Sequence, residues 1–482
     1  MASHSGVEIK RARADYPALA PGRAVGEEGA FLGEDEACVA LGSNLGVRSA
    51  HIETALSKMK QFATILKISF LYETEPKYFL DQPRFLNCVC KIKTSLSSAQ
   101  LLNELKRIET EIGRERPLVR NGPRVIDLDI LLHGRAPLST STLTIPHPQL
   151  HERDFVLGPL MDVQPDLVHP LLKKSVRQLW ADLGECEGIV AVIPVVVNGK
   201  EVILSDRRKT LLMAVCNMTP DSFSDGGELF PLNPAKLESL RENLLRSSVD
   251  IIDIGGESSR PGAEEVPGEE ELARITPLLA WARAQRALDG VLVSVDTWKS
   301  EVAKSAISQG ANIINDYTAG KDPNIFKVAA ETGAPMILMH SRGTPKTMNQ
   351  LADYPKGQEM ETIAAELNVN IQKALDQGIF PWKIITDPGI GFAKRGEHNL
   401  VILRNLGRWK CLTHGYPYLI GTSRKRFISE VCGGQDPKDR VWGTAATITA
   451  AVQAGCAIVR VHDFQPLSQV LKMSDTLYKN SQ

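Results

Sequence analysis

The sequence predicts two domains of different fold class: a ferredoxin-like α+β domain, followed by an α/β domain of the (β/α)8 TIM-barrel type. The chain has 482 residues, and domains average about 150 residues, so two or three domains are expected. Residues 37 to about 180 show the order strand, helix, strand, strand, helix, strand, which is the split βαβ order. From residue 211 onward, eight strand candidates alternate with amphipathic segments. A doubly wound open sheet is the alternative for this second part.

The composition narrows the class of protein. Hydrophobic residues make up 43% and charged residues 23%, which excludes global disorder. The formal net charge is −1, without basic blocks, so a nucleic-acid partner is not expected. We find no run approaching 18 apolar residues, so no membrane-spanning helix is expected either. The eight cysteines show neither metal-site spacing nor the density of a disulfide scaffold, which favours a reducing compartment.

Four segments are predicted along the chain: a flexible arm at 1–36, the α+β domain at 37–182, a linker at 183–206 and the barrel domain at 207–482. The arm carries four basic and seven acidic residues and has no apolar stretch. A mitochondrial presequence is rich in arginine and poor in acids, and a secretory signal needs an apolar core. We therefore expect a cytoplasmic protein, with the mitochondrion as the alternative.

Hydrophobic periodicity gives the elements of both domains. For the first domain it predicts a strand from residue 38, a helix at 48–62, strands at 65–73 and 85–92, a helix at 98–112 and a strand at 125–132. For the second it predicts strands at 211–215, 251–254, 291–295, 312–316, 335–339, 383–387, 417–421 and 457–461.

Two carboxylates mark the last predicted strand of the first domain. Asp127 and Asp129 are separated by one residue within an apolar run, so a strand would place them on one face. Paired carboxylates repel each other when buried unless a cation lies between them. Their oxygens suit Mg²⁺, which also takes substrate phosphates. The alternative is a pair of edge-strand acids that face water.

A segment rich in arginine, glycine and proline precedes this strand. It contains Arg114, Arg116, Arg120 and Arg124 within residues 113–124. On its own such a segment is most often a solvated loop. Beside a magnesium site it indicates a mobile clamp for a polyphosphate, to which His147 and Arg153 could add donors.

Four motifs in order give the first domain its resemblance. They are the turn at 42–46, the segment at 81–87, the arginine-rich segment and the Asp127–Asp129 strand. Together they resemble hydroxymethyldihydropterin pyrophosphokinase, over about 140 residues. The resemblance implies transfer of pyrophosphate from ATP to the hydroxymethyl group of a reduced pterin.

The resemblance also implies roles for individual residues. Asp127 and Asp129 would hold two Mg²⁺ ions, and Arg114 and Arg124 would act in catalysis. The remaining residues divide between the ATP site, with Glu109, Arg116, His147 and Arg153, and the pterin slot, with Thr74, Phe85, Asn87 and Phe155. Asn121 departs from members that carry a tryptophan in this loop, which leaves closure of the loop and the rate in question.

In the second domain, polar residues follow the predicted strands at their carboxyl ends, where barrel enzymes carry their chemistry. They are Asn217, Asp221, Glu257, Ser259, Arg260, Asp296, Asn315, His340, Asp387, Ser423, Lys425, Arg460 and His462. Each alone has an ordinary explanation; an Asp or Ser after a strand, for example, is often only a helix N-cap. Together they supply anion donors, a metal ligand and a group of carboxylates and amides that suits a heterocycle with parallel N–H donors.

These motifs resemble dihydropteroate synthase across 211–482. The resemblance implies condensation of p-aminobenzoate with the pterin pyrophosphate, which releases pyrophosphate. Asp296, Asn315, Asp387 and Lys425 would bind the pterin, with Lys425 also catalytic. Asn217 would bind Mg²⁺, while Arg260, Arg460 and His462 would bind the pyrophosphate, with Arg260 also catalytic. The p-aminobenzoate slot would be bordered by Phe223, Pro261, Phe392 and Ser423, and by Ser259 in place of a frequent threonine.

The two resemblances support each other, because the product of the first reaction is the substrate of the second. One rival is a pterin-binding barrel that transfers a methyl group from a folate. Another is a non-catalytic pterin-binding scaffold, which should have lost Asp127, Asp129, Lys425 or Arg460, yet all four are present. Resemblance to the synthases also implies a homo-oligomer formed through the barrel domain.

Overall fold

The structure is a computed structural model that describes residues 30–115, 121–184, 186, 188–205, 207, 209–219, 231–260, 262–434 and 436–479. The chain divides into two compact units, with the boundary between Ala191 and Val192. No helix in these described ranges has the length and apolar character needed to cross a membrane.

The first unit contains the predicted order of elements. Its strands are β1 (Glu36–Ser43), β2 (Thr64–Ile68), β3 (Leu71–Thr74), β4 (Phe85–Lys93), β5 (Asp127–His133), β6 (Leu138–Ser139) and β7 (Thr144–Ile145). Its α-helices are α1 (Arg48–Met59), α2 (Ser98–Ile112), α3 (Asp154–Val163) and α4 (Val176–Asp182).

The main sheet of this unit has the order β5-β1-β4-β3, with β2 also paired to β4. The neighbours are antiparallel, as a ferredoxin-like arrangement requires. Residues of β1 alternate between the two faces of the sheet, and Cys38 packs with α3 and α4 residues in one apolar cluster. Leu32 lies in the same cluster and is buried, so the predicted flexible arm at 1–36 extends too far.

The predicted strand at 65–73 is interrupted between β2 and β3. The Phe70 N–H donates to Asp162 Oδ2 of α3 over 3.1 Å instead of pairing along the sheet. The Ser69 hydroxyl accepts a hydrogen bond from the Val89 N–H at 3.0 Å. Because these two contacts replace ladder hydrogen bonds, one predicted strand becomes two.

The second unit consists of a hairpin and a closed barrel. Residues of the predicted linker form the hairpin, with β8 at Ile189–Val197, which begins just before the boundary, and β9 at Lys200–Leu204. The barrel strands are β10 (Leu211–Asn217), β11 (Ile251–Gly255), β12 (Leu292–Asp296), β13 (Ile313–Asp316), β14 (Met336–Met339), β15 (Ile384–Asp387), β16 (Leu419–Ile420) and β17 (Ile458–Val461). Its α-helices are α5 (Pro234–Arg246), α6 (Gly268–Ala284), α7 (Ser300–Ser308), α8 (Ile325–Thr332), α9 (Glu359–Asp376), α10 (Gly396–Arg404), α11 (Trp409–Leu412), α12 (Arg426–Cys432), α13 (Val441–Gln453) and α14 (Phe464–Tyr478).

All eight predicted strands are found, and they are parallel, in the order β15-β14-β13-β12-β11-β10-β17-β16. A parallel bridge between Thr386 and Tyr418 joins the two ends of this order, so the sheet closes. Ile193, Val195 and Leu204 of the hairpin pack with the first residues of the strands and fill one end of the barrel. The polar residues at the strand carboxyl ends therefore lie at the other end, as predicted.

Candidate active sites

The first unit has a cavity of about 320 Å³ that gathers most of the predicted kinase residues. Those on its lining are Thr74, Phe85, Asn87, Arg114, Arg124, Asp127, Asp129, His147, Arg153 and Phe155. Asn121, where the loop departs from some relatives of the kinase, also lines it. Arg116 lies outside the described residues.

Asn44, in the turn after β1, explains how separate motifs meet here. Its Oδ1 accepts from the Arg124 N–H at 2.8 Å, and its Nδ2 donates to Gln82 Oε1 at 3.0 Å. A turn that alone carries no chemistry thus ties the arginine-rich segment to the segment at 81–87.

Asp127 and Asp129 occupy alternate positions of β5, as the sequence predicted. Burial raises the pKa of Asp127, but Arg124 and Arg114 outweigh burial and hold the pKa below its ordinary value. Each of these arginines lies 2.7 Å from one of its two oxygens. Burial and then the charge of Asp127 raise the pKa of Asp129. The pair is therefore one firmly ionised carboxylate beside one that ionises less readily.

Glu109 lies behind this pair rather than on the cavity wall. It is buried on α2, forms an ion pair with Arg114, and its Oε1 accepts from the Leu128 N–H at 2.7 Å. Lys106 was not predicted from the sequence. It lines the cavity and donates to Glu109 Oε1 at 2.8 Å. Its position one helical turn before Glu109 was the available signal.

Two aromatic rings and an amide form one wall of the cavity. Asn87 Nδ2 donates to the Thr74 hydroxyl at 2.8 Å, which leaves its Oδ1 facing Gly42. The Arg124 guanidinium lies 5.7 Å from the Phe85 ring centre, and that of Arg153 lies 5.5 Å from the Phe155 ring centre. Flat faces with an oriented amide suit a planar heterocycle.

His147 and Arg153 contribute donors to the same cavity. Burial and the charge of Arg153 lower the pKa of His147 to about 4, so the ring is neutral at neutral pH. Its Nδ1 accepts from the Gln149 N–H at 3.2 Å, which puts the ring proton on Nε2. Tyr78 also lines the cavity, 5.8 Å from the Arg153 guanidinium, and was not predicted.

In the second unit a buried charge cluster lies at the carboxyl end of the barrel. Arg460 Nε donates to Asp253 Oδ2 and its Nη2 to Asp296 Oδ2, both at 2.6 Å. Asn315 Nδ2 donates to the same Asp253 oxygen at 3.1 Å. Burial raises the pKa of Asp296, and Arg460 opposes this. Arg460, expected as an anion donor, thus holds two of the carboxylates in place.

Asp253 is the main residue of this cluster that sequence reasoning missed. It is fully buried on β11, and its Oδ1 accepts no hydrogen bond from the described residues. Its signal was an acid at an interior position of the apolar run 251–254. Such a position is costly unless the charge is paired or used.

Asp387 and Lys425 stand beside the cluster. Burial raises the pKa of Asp387 to about 6. The Gly389 N–H, which donates to its Oδ1 at 2.7 Å, and the charge of Lys425 both act to lower this pKa. Lys425 Nζ lies 4.1 Å from the centre of the Phe392 ring.

The remaining predicted residues surround this mouth of the barrel. Asn217 ends β10, close to Gly255 and hence to the neighbouring Asp296. The Ser423 hydroxyl accepts from the His462 N–H at 3.1 Å. Arg260 is half-buried in the segment after β11. Three residues of the predicted synthase site lie outside the described ones: Asp221, Phe223 and Pro261.

Ser259 and Phe392 line a second cavity, of about 280 Å³. Its other walls include Glu257, Trp298 and Tyr317. Glu257 Oε1 accepts from Trp298 Nε1 at 3.0 Å and from the Tyr317 hydroxyl at 2.8 Å, which joins the loops after β11, β12 and β13. Trp298 and Tyr317 were not predicted as part of the site.

Two family models match the chain. The model for 7,8-dihydro-6-hydroxymethylpterin-pyrophosphokinase matches residues 38–165, and the model for pterin binding enzymes matches residues 213–462. The folate synthesis bifunctional protein of Pisum sativum is 40% identical, over 92% of this chain and 90% of that protein. The chain belongs to the family of folate synthesis bifunctional proteins. Both resemblances predicted from sequence motifs are confirmed.

Two further relatives are longer than this chain. The folic acid synthesis proteins of Pneumocystis carinii and Schizosaccharomyces pombe are 40% and 41% identical to the chain. The matches cover 99% and 92% of this chain. The chain spans only 64% and 59% of the length of these two relatives.

Solved structures agree with the fold of both units. A Plasmodium falciparum HPPK-DHPS structure with pteroate gives a TM-score of 0.74 at 21% identity, over 94% of this chain and 98% of that one. A Clostridium difficile dihydropteroate synthase, solved in the presence of pteroic acid, is 36% identical over 57% of this chain and 98% of that chain, with a TM-score of 0.50. The predicted ferredoxin-like domain and TIM barrel are confirmed.

Proposed function

We propose that the chain catalyses two consecutive steps of folate synthesis. The first unit transfers pyrophosphate from ATP to 6-hydroxymethyl-7,8-dihydropterin, and the barrel condenses the product with p-aminobenzoate to give 7,8-dihydropteroate. The observation that carries this proposal is the cavity of the first unit, which gathers the Asp127–Asp129 pair, three arginines and the rings of Phe85 and Phe155 around one space. Membership of the bifunctional family supports the pairing with the second step.

In the first step the chain orients two substrates and neutralises phosphate charge. Phe85 and Phe155 provide faces for the pterin, and Asn87 reads its amide-like edge. Arg114 and Arg124 lie beside Asp127, where they can bind the triphosphate, and Arg153 and neutral His147 add donors. Arg116 was predicted for the same nucleotide site, and Glu109, also predicted there, would support it from behind through its ion pair with Arg114.

The donor set of this cavity fits Mg²⁺. Asp127 and Asp129 offer carboxylate oxygens only, and a cation between them relieves their repulsion. We propose that these two residues hold Mg²⁺, which would neutralise charge on the transferred group. Two carboxylates suffice, since magnesium in such sites also takes phosphate oxygens.

In the second step the barrel reads the pterin and binds the leaving group. The carboxylates of Asp296 and Asp387, with the Asn315 amide, accept or donate at the edge of the ring, and Lys425 lies beside them. Arg260 and His462 bind the pyrophosphate, together with the part of the Arg460 guanidinium that does not hold Asp253 and Asp296. The Asn217 amide oxygen is suited to hold Mg²⁺.

The amine of p-aminobenzoate forms a bond to the pterin methylene carbon as the carbon–oxygen bond breaks. The electron pair leaves with pyrophosphate, and the amine loses a proton. Phe392, Ser259 and Ser423 border the slot for p-aminobenzoate. Cationic groups at the leaving oxygens stabilise the charge that develops there.

A coupled assay on the purified chain tests the proposal. Hydroxymethyldihydropterin, ATP, Mg²⁺ and p-aminobenzoate are supplied, and AMP and dihydropteroate are measured together. Formation of both supports the two-step function. AMP without dihydropteroate would contradict the barrel assignment. If neither forms, and supplied pterin pyrophosphate is not converted either, the non-catalytic scaffold becomes the better explanation.

The methyltransferase alternative is tested with a methylated folate as donor. The element Ser423-Arg424-Lys425 and the fused kinase unit favour the synthase. The compartment and the homo-oligomer stay predictions: cytoplasmic residence is expected, whereas the Pisum sativum relative is named as mitochondrial. Light scattering after size exclusion would measure the oligomeric state.

A further inference from the structure

The loop between β15 and α10 begins directly after Asp387 and carries Phe392, and a buried lysine fixes its end. Lys394 Nζ donates to the Phe392 carbonyl at 2.9 Å, to His340 Nδ1 at 3.0 Å and to the His340 carbonyl at 3.4 Å. An ammonium group has three protons, so these acceptors satisfy it. The lysine is 7% exposed and joins this loop to the end of β14.

The surroundings of His340 favour the neutral ring that accepts a hydrogen bond from Lys394. Its Nε2 lies 2.9 Å from Glu366 Oε2, and Arg342 Nε donates to the same oxygen at 2.9 Å. Burial and the charge of Lys394 lower the pKa of His340 to about 4. The ring is therefore neutral, with its proton on Nε2 towards Glu366 and a lone pair on Nδ1 towards Lys394.

The backbone of the loop is held in a shape it would not adopt alone. Gly389 has φ +70°, and a Cβ there would lie 2.0 Å from the His340 carbonyl oxygen. Ala393 has φ +48°, and its carbonyl accepts from the Tyr354 hydroxyl at 3.1 Å. Residues with side chains enter this region only when their surroundings stabilise it.

The charges of three cations lower the pKa of Asp387. They are those of Lys425 after β16, Lys394 on the loop that follows β15, and Arg460 on β17. Burial lowers the pKa of Lys394 to about 7. The carboxylates of Asp387 and Glu366 raise this pKa, whereas the charges of Arg342 and Lys425 lower it further. Because burial raises the pKa of Asp387 to about 6, the lysine is charged over the range in which Asp387 titrates.

We propose that Lys394, with His340 as its buried acceptor, is a positioning residue of the barrel reaction. It fixes the backbone that presents Phe392, and its charge, with those of Lys425 and Arg460, favours the ionised form of Asp387, which accepts the N–H donors of the pterin. This inference rests on the proposed synthase function of the barrel.

The test compares Lys394→Met and Lys394→Gln with the unmodified chain. Both variants remove the charge, but glutamine retains an N–H for the Phe392 carbonyl and is the safer variant for folding. Lys327→Met is the matched control, because Lys327 on α8 is 66% exposed and pairs with the exposed Glu331. Thermal unfolding followed by tryptophan fluorescence confirms that each barrel is folded.

The measurement is kcat/KM for supplied pterin pyrophosphate against pH. In both Lys394 variants the acidic limb should move to higher pH, since Asp387 loses a stabilising cation. The plateau at high pH should fall about tenfold in the methionine variant and less in the glutamine variant.

Two results would overturn the inference. One is an unchanged profile in both variants. The other is an equal loss at every pH with the acidic limb in place, which indicates a structural role only. If the unmodified chain fails to convert supplied pterin pyrophosphate, the proposed function itself fails, and the role of Lys394 falls with it.

Discussion

Replacing Asp253 with asparagine should destabilise the barrel unit strongly while leaving the first unit folded. Asp253 is fully buried, and its Oδ2 accepts from Arg460 Nε at 2.6 Å and from Asn315 Nδ2 at 3.1 Å. Asparagine has the same shape, so no cavity opens. The substitution removes the negative charge. Depending on its orientation, the new amide directs either its NH₂ group or its oxygen, a weaker acceptor than a carboxylate, at the donors of Arg460 and Asn315.

The expected loss is about 3 kcal/mol. Removing one partner of a buried ion pair costs about 3–5 kcal/mol, because the other charge stays buried without compensation. The lower figure applies here because Arg460 keeps Asp296 at 2.6 Å. In a unit of this size, such a loss lowers the unfolding temperature by about 6 °C or more.

Urea unfolding of the full chain, followed by tryptophan fluorescence, measures this loss. Trp382 and Trp409 are fully buried in the barrel unit and report its transition. Asp376→Asn is the control, because Asp376 is exposed at the end of α9 and accepts a hydrogen bond from Gln372 on the same helix. A loss below about 1 kcal/mol for Asp253→Asn would refute the reasoning, since exposed ion pairs contribute no more than that.

Three further predictions concern the first unit. Gly42→Ala should raise the KM for the pterin about tenfold, because the new Cβ would lie 2.8 Å from Asn87 Oδ1 and displace this amide. The KM for ATP should stay unchanged, and an equal rise in both KM values would argue against the assignment of Asn87 to the pterin. Burial raises the pKa of Asp162 to about 7, so the free energy of unfolding should fall, by up to about 1.4 kcal/mol per pH unit, as the pH rises from about 4 to 7. Denaturant titrations across that range should find the slope flattened in Asp162→Asn, and an unchanged slope would contradict the assignment. Initial rates of AMP formation should fall in acid as Asp129 takes up a proton above its ordinary pKa, and more Mg²⁺ should move this fall to lower pH; a fall independent of Mg²⁺ would count against Asp129 as a ligand.

The barrel strands were predictable because parallel strands of a closed barrel are buried on both faces. Their sequences are short apolar runs, each followed by a polar residue, and all eight runs form strands. The helix at Ser98–Ile112 was also predicted to the residue, because Ser97 and Gln100 form a capping box and Gly113 ends it in the left-handed conformation.

Long-range contacts account for what the sequence did not predict. The interruption at Ser69 and Phe70 depends on Asp162, which is distant in sequence. The predicted linker contains a hairpin because its alternating apolar residues meet the end of the barrel. Such partners are set by tertiary packing and leave no local signal.

The candidate sites divide in the same way. The Asp127–Asp129 pair was predictable from spacing alone, since a strand places alternate residues on one face. The pairing of Asp253 with Arg460 was not, because β11 and β17 are distant in sequence. Lys394 was missed because a lysine after a glycine-rich turn ordinarily lies in solvent.

The central claim is that two independent sites act in sequence, and a pair of variants tests it most directly. Asp127→Ala and Lys425→Ala are each assayed for AMP formation from ATP and hydroxymethyldihydropterin, and for dihydropteroate formation from supplied pterin pyrophosphate. We predict that Asp127→Ala loses the first activity and keeps the second, and that Lys425→Ala does the reverse. Loss of both activities in either variant, with both units still folded, would contradict the account.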